Sequence, residues 1–264
     1  GQVAAYAAKD GKRLWRVDLK LKISGGLGYA SGMLLGGTIT GQVFALNPAN
    51  GALLWRHQLS SEVLSPPTAA SGLVLVRTLD DHVAALDADD GVPRWVFKGE
   101  TPPLTLHGSS APVVAGERVI VGLADGSLVA LGLFDGRMLW QTQIAEPKGR
   151  SELEHMVDID ATPVVVGDEA YAITYQGAAD GVDLQTGRVL WNRDFSAYRG
   201  FRAAGHNLYV VDAHGVVWAM DRQTGATLWK QDKLAERAVS APVVAGDYVV
   251  VGDYQGYLHW LLAD

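Results

Sequence analysis

Six times along this chain a glycine is followed four residues later by a tryptophan: Gly11/Trp15, Gly51/Trp55, Gly91/Trp95, Gly136/Trp140, Gly187/Trp191 and Gly225/Trp229. Successive tryptophans lie 40, 40, 45, 51 and 38 residues apart, so six of the eight in the chain occupy one equivalent place in a repeat. Periods of this length belong to four-stranded propeller blades. Each unit runs in the same order, clearest in the last: Ala241-Pro242-Val243-Val244, a turn at Gly246-Asp247, Tyr248 to Val251, a turn at Gln255-Gly256, then Tyr257 to Leu261. Short β-branched runs between glycine turns are strand and hairpin signals, and no helix-period stretch of useful length interrupts them. The spacing therefore predicts an all-β chain, a β-propeller of four-stranded blades, read as one domain over 1–264.

Third strands are expected to start at Gly1, Gly41, Asp81, Gly126, Gly215 and Gly256, with a fourth strand after each glycine-tryptophan motif. That amounts to about six repeats plus one strand. A propeller closes by pairing strands from both ends of the chain, because open sheet edges invite aggregation. The expectation is a part of a longer propeller, incomplete at both ends; the alternative is a ring of six or seven blades closed by this segment alone. One unit departs from the pattern. Where a third strand should follow Gln176, the chain reads Ala178-Ala179-Asp180-Gly181-Val182-Asp183, and its glycine and aspartate predict an irregular blade.

A hydrophobic content of 48% with 19% charged residues describes a globular chain with a sizeable core. The net charge of −7 argues against a nucleic-acid partner, which normally needs a basic patch. There is no cysteine, so disulfides, thiolate metal sites and cysteine catalysis are excluded. No apolar run is long enough to span a bilayer. The histidines, at 57, 82, 107, 155, 206, 214 and 259, show no metal-type spacing. Asp158 and Asp160 could form a metal or acid–base pair, but calcium would want several more oxygen ligands and no calcium-loop pattern surrounds them. With no nucleophile elbow and no phosphate-cradling loop, neither a catalytic nor a metal site is expected. The repeated tryptophans, Trp15, Trp55, Trp95, Trp140, Trp191 and Trp229, could floor a quinone cofactor. A residue needed once per repeat is better read as structural, each indole packing between neighbouring blades and donating its N–H to a turn carbonyl.

The repeat resembles the pyrroloquinoline-quinone-type propeller repeat over the whole chain. Three stretches narrow the likeness: Leu104-Thr105-Leu106-His107-Gly108-Ser109-Ser110-Ala111-Pro112, Ser151-Glu152-Leu153 through Asp158-Ile159-Asp160 to Val165, and Val251-Gly252-Asp253-Tyr254-Gln255-Gly256-Tyr257-Leu258-His259-Trp260. They resemble the B subunit of the bacterial outer-membrane β-barrel assembly machinery, and the last stretch is the most specific. The resemblance implies an eight-bladed propeller without enzymatic activity or cofactor. It also implies a periplasmic lipoprotein on the inner face of the outer membrane, its lipid anchor upstream of this chain, serving as a scaffold that docks on the periplasmic domains of the barrel-forming A subunit. Carried across, the family's docking residues are Leu104, Leu106, Asp158 and Asp160. His107 departs, since the family pattern has arginine there.

Spacing alone points to the same segments. The two longest tryptophan intervals are adjacent, and their excess lies in the connections after Trp95 and Trp140. Each such connection joins the fourth strand of one blade to the first of the next, so rotational repetition would put both on one face, where insertions mark a binding surface. Thr101 to His107 and Glu146 to Asp160 are thus expected to be exposed. Leu104 and Leu106 would point the same way and offer an apolar anchor; Asp158 and Asp160 could clamp an arginine or lysine. In the plainer reading the leucines cover a blade junction and the aspartates are solvated loop charges. Unfolded outer-membrane proteins are a further expected partner, met by strand addition at an exposed edge.

Two other classes remain. Quinoprotein dehydrogenases share this repeat and bind pyrroloquinoline quinone with calcium, but such enzymes resemble much longer chains, often with a cysteine pair that this chain lacks. A scaffold of the tryptophan-aspartate repeat type would need Trp-Asp where this chain has Leu-Trp or Arg94-Trp95.

Overall fold

The computed structural model describes residues 1–100, 102, 110–146, 157–175 and 177–264. Among them every regular element is a strand. The first sheet pairs β1 (Gln2–Tyr6) with β2 (Arg13–Asp18). Four-stranded sheets follow in chain order: β3 (Ile23–Ala30), β4 (Met33–Thr38), β5 (Gln42–Leu46), β6 (Leu53–Gln58); β7 (Thr68–Ala70), β8 (Leu73–Arg77), β9 (His82–Asp87), β10 (Pro93–Lys98); β11 (Val113–Ala115), β12 (Arg118–Gly122), β13 (Ser127–Gly132), β14 (Met138–Gln143). Two more are β15 (Val164–Val166), β16 (Glu169–Ile173), β17 (Gly177–Asp183), β18 (Val189–Phe195) and β19 (Phe201–Ala204), β20 (Asn207–Val211), β21 (Val217–Asp221), β22 (Thr227–Gln231). A three-stranded sheet of β23 (Val243–Ala245), β24 (Tyr248–Gly252) and β25 (Leu258–Leu262) comes last. Within each sheet sequence neighbours are spatial neighbours, the up-and-down meander of a propeller blade. The chain groups into two compact units, Gly1–Thr101 with His107–Val119 and Leu131–Arg137, and Pro102–Leu106 with Ile120–Ala130 and Met138–Asp264.

The core lies between consecutive sheets. In the first unit Leu35, Val43, Ala45 and Trp55 meet Val74, Val76, Ala84 and Leu86 of the next sheet. In the second, Tyr171, Ile173 and Ala179 meet Phe201, Leu208, Val210 and Met220, and Tyr209, Val211 and Val217 meet Val249 and Val251. Each large apolar side chain so enclosed contributes about 1.5–3 kcal/mol.

The glycine-tryptophan motif seals each of these seams. Every repeated indole donates Nε1–H to a carbonyl of the following repeat: Trp15 to Pro48 at 2.8 Å, Trp55 to Ala88 at 2.7 Å, Trp95 to Leu133 at 2.9 Å, Trp140 to Leu184 at 3.0 Å, Trp191 to Arg222 at 2.8 Å and Trp229 to Ala263 at 3.3 Å. From Trp15 to Trp191 the ring also lies on the glycine of the next motif. At Gly91, φ is +73° and a Cβ would stand 2.5 Å from a Trp55 ring carbon, so glycine is needed both for its backbone angle and for the approach.

A β-bulge aims the indole. Ala45 pairs with Trp55 but Leu46 pairs with Leu53, leaving Leu54 unpaired; Leu14, Arg94, Leu190 and Leu228 are skipped in the same way just before their tryptophans. The extra residue turns the tryptophan into the seam and leaves Leu14, Leu54, Leu190 and Leu228 exposed. The bulge also breaks the ladder on the strand that forms the sheet's edge, which discourages pairing with another chain there.

The segment Ala178–Asp183, expected to be irregular, is instead continuous strand β17, paired with β16 over Ala179–Asp183 and with β18 over Gly177–Val182, with the same bulge before the tryptophan as in the other sheets. Two ladders override its weak local propensity. Gly181 accommodates the Trp191 indole, whose Nε1 would stand 2.3 Å from an added Cβ.

Gly91→Ala is expected to destabilise the protein by about 2–4 kcal/mol, combining positive-φ strain with a clash on Trp55. Gly116, φ +60°, has nothing within 4 Å of an added Cβ, so Gly116→Ala should cost only about 1 kcal/mol of strain. Denaturant unfolding of the two variants checks the difference.

Candidate partner-docking site

Leu104, Leu106 and His107 lie outside the described residues, as does most of Thr101 to His107. The second expected docking segment is described from Val157 onward, and it is not a solvated loop. Val157, Asp158 and Ile159 are buried, Asp158 at 2% exposure, while Asp160 is half-buried. The expected exposure of this stretch is thus corrected at its end. The reason is close packing on glycines: a Cβ on Gly122 would meet Ile159 Cγ2 at 2.2 Å, and one on Gly126 would meet Val157 Cγ2 at 2.8 Å.

Two backbone hydrogen bonds fix the segment. Ile159 N–H donates to Leu123 O at 3.2 Å, and Tyr175 N–H donates to Asp158 O at 3.3 Å. The same pair recurs elsewhere. Val63 donates to Thr38 O while Leu79 donates to Glu62 O, and Ala197 donates to Thr174 O while Ala213 donates to Ser196 O. Lys22 and Arg237 likewise accept from Ile39 and Tyr254. Asp158 therefore stands at a once-per-repeat position, occupied in turn by Lys22, Glu62, Asp158, Ser196 and Arg237. Sequence reasoning missed this equivalence because the inserted residues before Asp158 hide the register; the small or β-branched residue after each polar one in Glu62-Val63, Asp158-Ile159 and Ser196-Ala197 is the signal that could have revealed it.

Beyond Asp158 the second unit continues in aromatic and cationic groups. Tyr175 and Tyr198 meet edge to face with centroids 6.0 Å apart. The Arg199 guanidinium lies 5.2 Å from the Tyr198 ring centre and hydrogen-bonds Val239 O at 2.5 Å. A cavity of about 240 Å³ adjoins them, with His214 and Glu236 on its wall. Among the described residues no three histidine or carboxylate side chains converge as metal ligands would.

The final sequence stretch has a structural task. Asp253 Oδ1 accepts from the N–H groups of Gln255 and Tyr257 at 3.0 and 3.1 Å, closing the turn before β25. Its Oδ2 accepts from Arg237 Nε and from His259 Nε2, each at 2.9 Å. These bonds, from His259 first and then Arg237 and the backbone, hold the Asp253 carboxyl well below the usual carboxylate range against an opposing desolvation.

A different carboxylate is strained. Asp180 on β17 is 1% exposed, at the position that Phe44, Ala84, Val129 and Trp218 occupy in other sheets. Burial pushes its pKa up from 3.8 to about 7, against the opposing hydrogen bond from Asn192 Nδ2 at 2.6 Å.

The comparisons with known proteins bear on all of this. The family model described as outer membrane protein assembly factor BamB matches residues 1–231. The chain belongs to the BamB family. The BamB of Pseudomonas aeruginosa is 48% identical over 261 residues, spanning 99% of this chain and 69% of that protein. That of Kangiella koreensis is 46% identical over 261 residues, 99% of this chain and 67% of its own length. The crystal structure of BamB from Moraxella catarrhalis superposes with a TM-score of 0.94 at 29% identity, covering 99% of this chain and 80% of that one. The fold is accordingly the β-propeller of the BamB family, and the repeat is its pyrroloquinoline-quinone-like repeat.

Because the folded-state value of Asp180 is raised, the group favours the native state below pH 3.8 relative to neutral pH, and that contribution is lost as pH rises toward about 7. Asp180→Asn should remove this slope, so the variant melts higher than the parent at pH 8, the gap narrows by pH 5 and it closes only below pH 3.8. Parallel melting profiles across that range would contradict the assignment.

Proposed function

We propose that the protein is a non-enzymatic scaffold of the machinery that assembles outer-membrane β-barrel proteins. The observation that carries this reading is the family match over 1–231, together with relatives named as assembly factors rather than for a reaction. In this reading it works in the periplasm at the outer membrane and docks on the periplasmic domains of the barrel-forming A subunit through the connections 101–107 and 146–160. Leu104 and Leu106 supply the apolar anchor, Asp158 and Asp160 meet a basic side chain, and His107 stands where the family has arginine. Unfolded outer-membrane proteins are its further clients.

The local structure supports such a task. Asp158 sits on backbone held from both sides by hydrogen bonds and by packing on Gly122 and Gly126, so a partner would meet a preorganised segment, which lowers the ordering cost of binding.

Titration against the isolated periplasmic region of an A subunit tests the reading, with pyrroloquinoline quinone and calcium in a parallel cell. Saturable binding of the A-subunit region and none of the quinone is expected. Asp158→Asn combined with Leu106→Ala should weaken binding by at least about 30-fold, since truncating one partner of a buried charge pair costs about 2–5 kcal/mol, with an unchanged circular dichroism spectrum. Undiminished binding by that variant would remove the site, and tight quinone binding would return the chain to the dehydrogenases.

A further inference from the structure

Shortly after β18 the chain carries Tyr198-Arg199, and the arginine is held on two of its three nitrogens. Nε donates to Tyr198 Oη at 3.1 Å, and Nη1 donates to Val239 O. Nη2 has no hydrogen-bond partner among the described residues and is not buried. Among those residues Arg77, Arg94, Arg222 and Arg237 each form an ion pair with a carboxylate, and Arg199 forms none. A half-buried guanidinium fixed on two nitrogens is a cation with one direction left in which to bind.

Arg199 lines the cavity of about 240 Å³, together with Tyr198, His214, Glu236 and Ala238. Glu236 is the one acid among the lining residues; its side chain is 82% exposed and lies 3.5 Å from His214 Nδ1, so its charge is spent on the histidine and the solvent. This wall is strained. Glu236 and Ala238 have φ of +60° and +47°, a region that residues with a Cβ rarely adopt. Such strain persists where surrounding contacts impose it, here Glu236 N–H to His214 O at 2.8 Å and Arg237 N–H to Leu234 O at 3.2 Å, and it collects at ligand clamps.

We infer that this cleft is a second docking point, which takes a carboxylate side chain of the partner onto Arg199. The inference rests on the docking reading proposed above, in which Asp158 meets a basic side chain. Tyr175 N–H donates to Asp158 O at 3.3 Å, and the Tyr175 ring packs on Tyr198, so Asp158 and Arg199 stand at the two ends of one run of contacts in the second unit. One end is anionic and the other cationic. A partner must therefore present a base and an acid in matching order, which fixes its orientation as a single charge cannot. The net charge of −7 does not forbid an acidic ligand, because salt screens exposed charges beyond about 8 Å at physiological strength. The Arg199 guanidinium, already laid against the Tyr198 ring, loses little freedom on taking a carboxylate, so the ordering cost is small.

The whole chain, parent and Arg199→Met, is titrated against the isolated periplasmic region of the A subunit, with each aspartate and glutamate of that region changed in turn to its amide. Arg199→Met is expected to weaken binding by about tenfold, the scale of one charge-assisted hydrogen bond. One amide variant should weaken binding of the parent equally and add nothing further to Arg199→Met. A role in packing alone would lower the melting temperature without such coupling. Arg199→Lys, which keeps the charge and loses the fork, should fall between. In a second arm the Nε–H resonance of Arg199 is followed by NMR as glutarate is added, with glutaramide at matched ionic strength as the neutral control. A saturable shift with glutarate alone is expected. The absence of any coupled amide variant overturns the inference, as does a glutarate shift no larger than that with glutaramide. Failure of the parent itself to bind the A subunit defeats the docking reading instead, and the glutarate arm then decides by itself whether the cleft takes a carboxylate.

Discussion

The contact on which the rest depends is an indole laid on a glycine. From Trp15 to Trp191 each repeated tryptophan covers the positive-φ glycine of the next repeat and donates its N–H to a carbonyl beside it. This one contact joins consecutive sheets by packing, by a hydrogen bond and by a backbone angle, so loss of any component is felt by the other two. A four-stranded sheet alone has two faces to bury. The seam gives each face a partner, and the β-bulge before each tryptophan is the local deformation that turns the ring toward it.

Once the seams are set, connections between sheets have little freedom. Glycines at the ends of second strands bring Val63 and Ile159 down onto the turn, and the paired backbone bonds at Glu62/Val63, Asp158/Ile159 and Ser196/Ala197 repeat the arrangement. What varies is the side chain at the first residue of each pair: lysine, glutamate, aspartate, serine and arginine stand on equivalent backbone. A uniform frame therefore presents a non-uniform series of charges, and Asp158 gains its buried setting from the frame rather than from any motif of its own.

Much of this was legible in the residues. The glycine-tryptophan period, the glycine turns and the β-branched runs located the strands, since each signal reflects local backbone chemistry that tertiary structure does not alter. The irregularity expected at Ala178–Asp183 did not appear, because ladders on both sides outweigh the poor strand propensity of aspartate and glycine. Exposure of Asp158 was misjudged for a related reason: loop-like sequence says nothing of the glycines at 122 and 126, distant in the chain, that bring the segment under cover.

The sequence by itself determined the repeat, the all-β class and the indole seams, because a residue type recurring at fixed spacing answers a geometric need that recurs with it. Only the tertiary structure decided which residues stand at equivalent points between repeats, that Asp158 is buried and that Asp180 carries a raised pKa. Each of these depends on contacts between segments tens of residues apart, and on insertions that shift the register, so no local pattern encodes it.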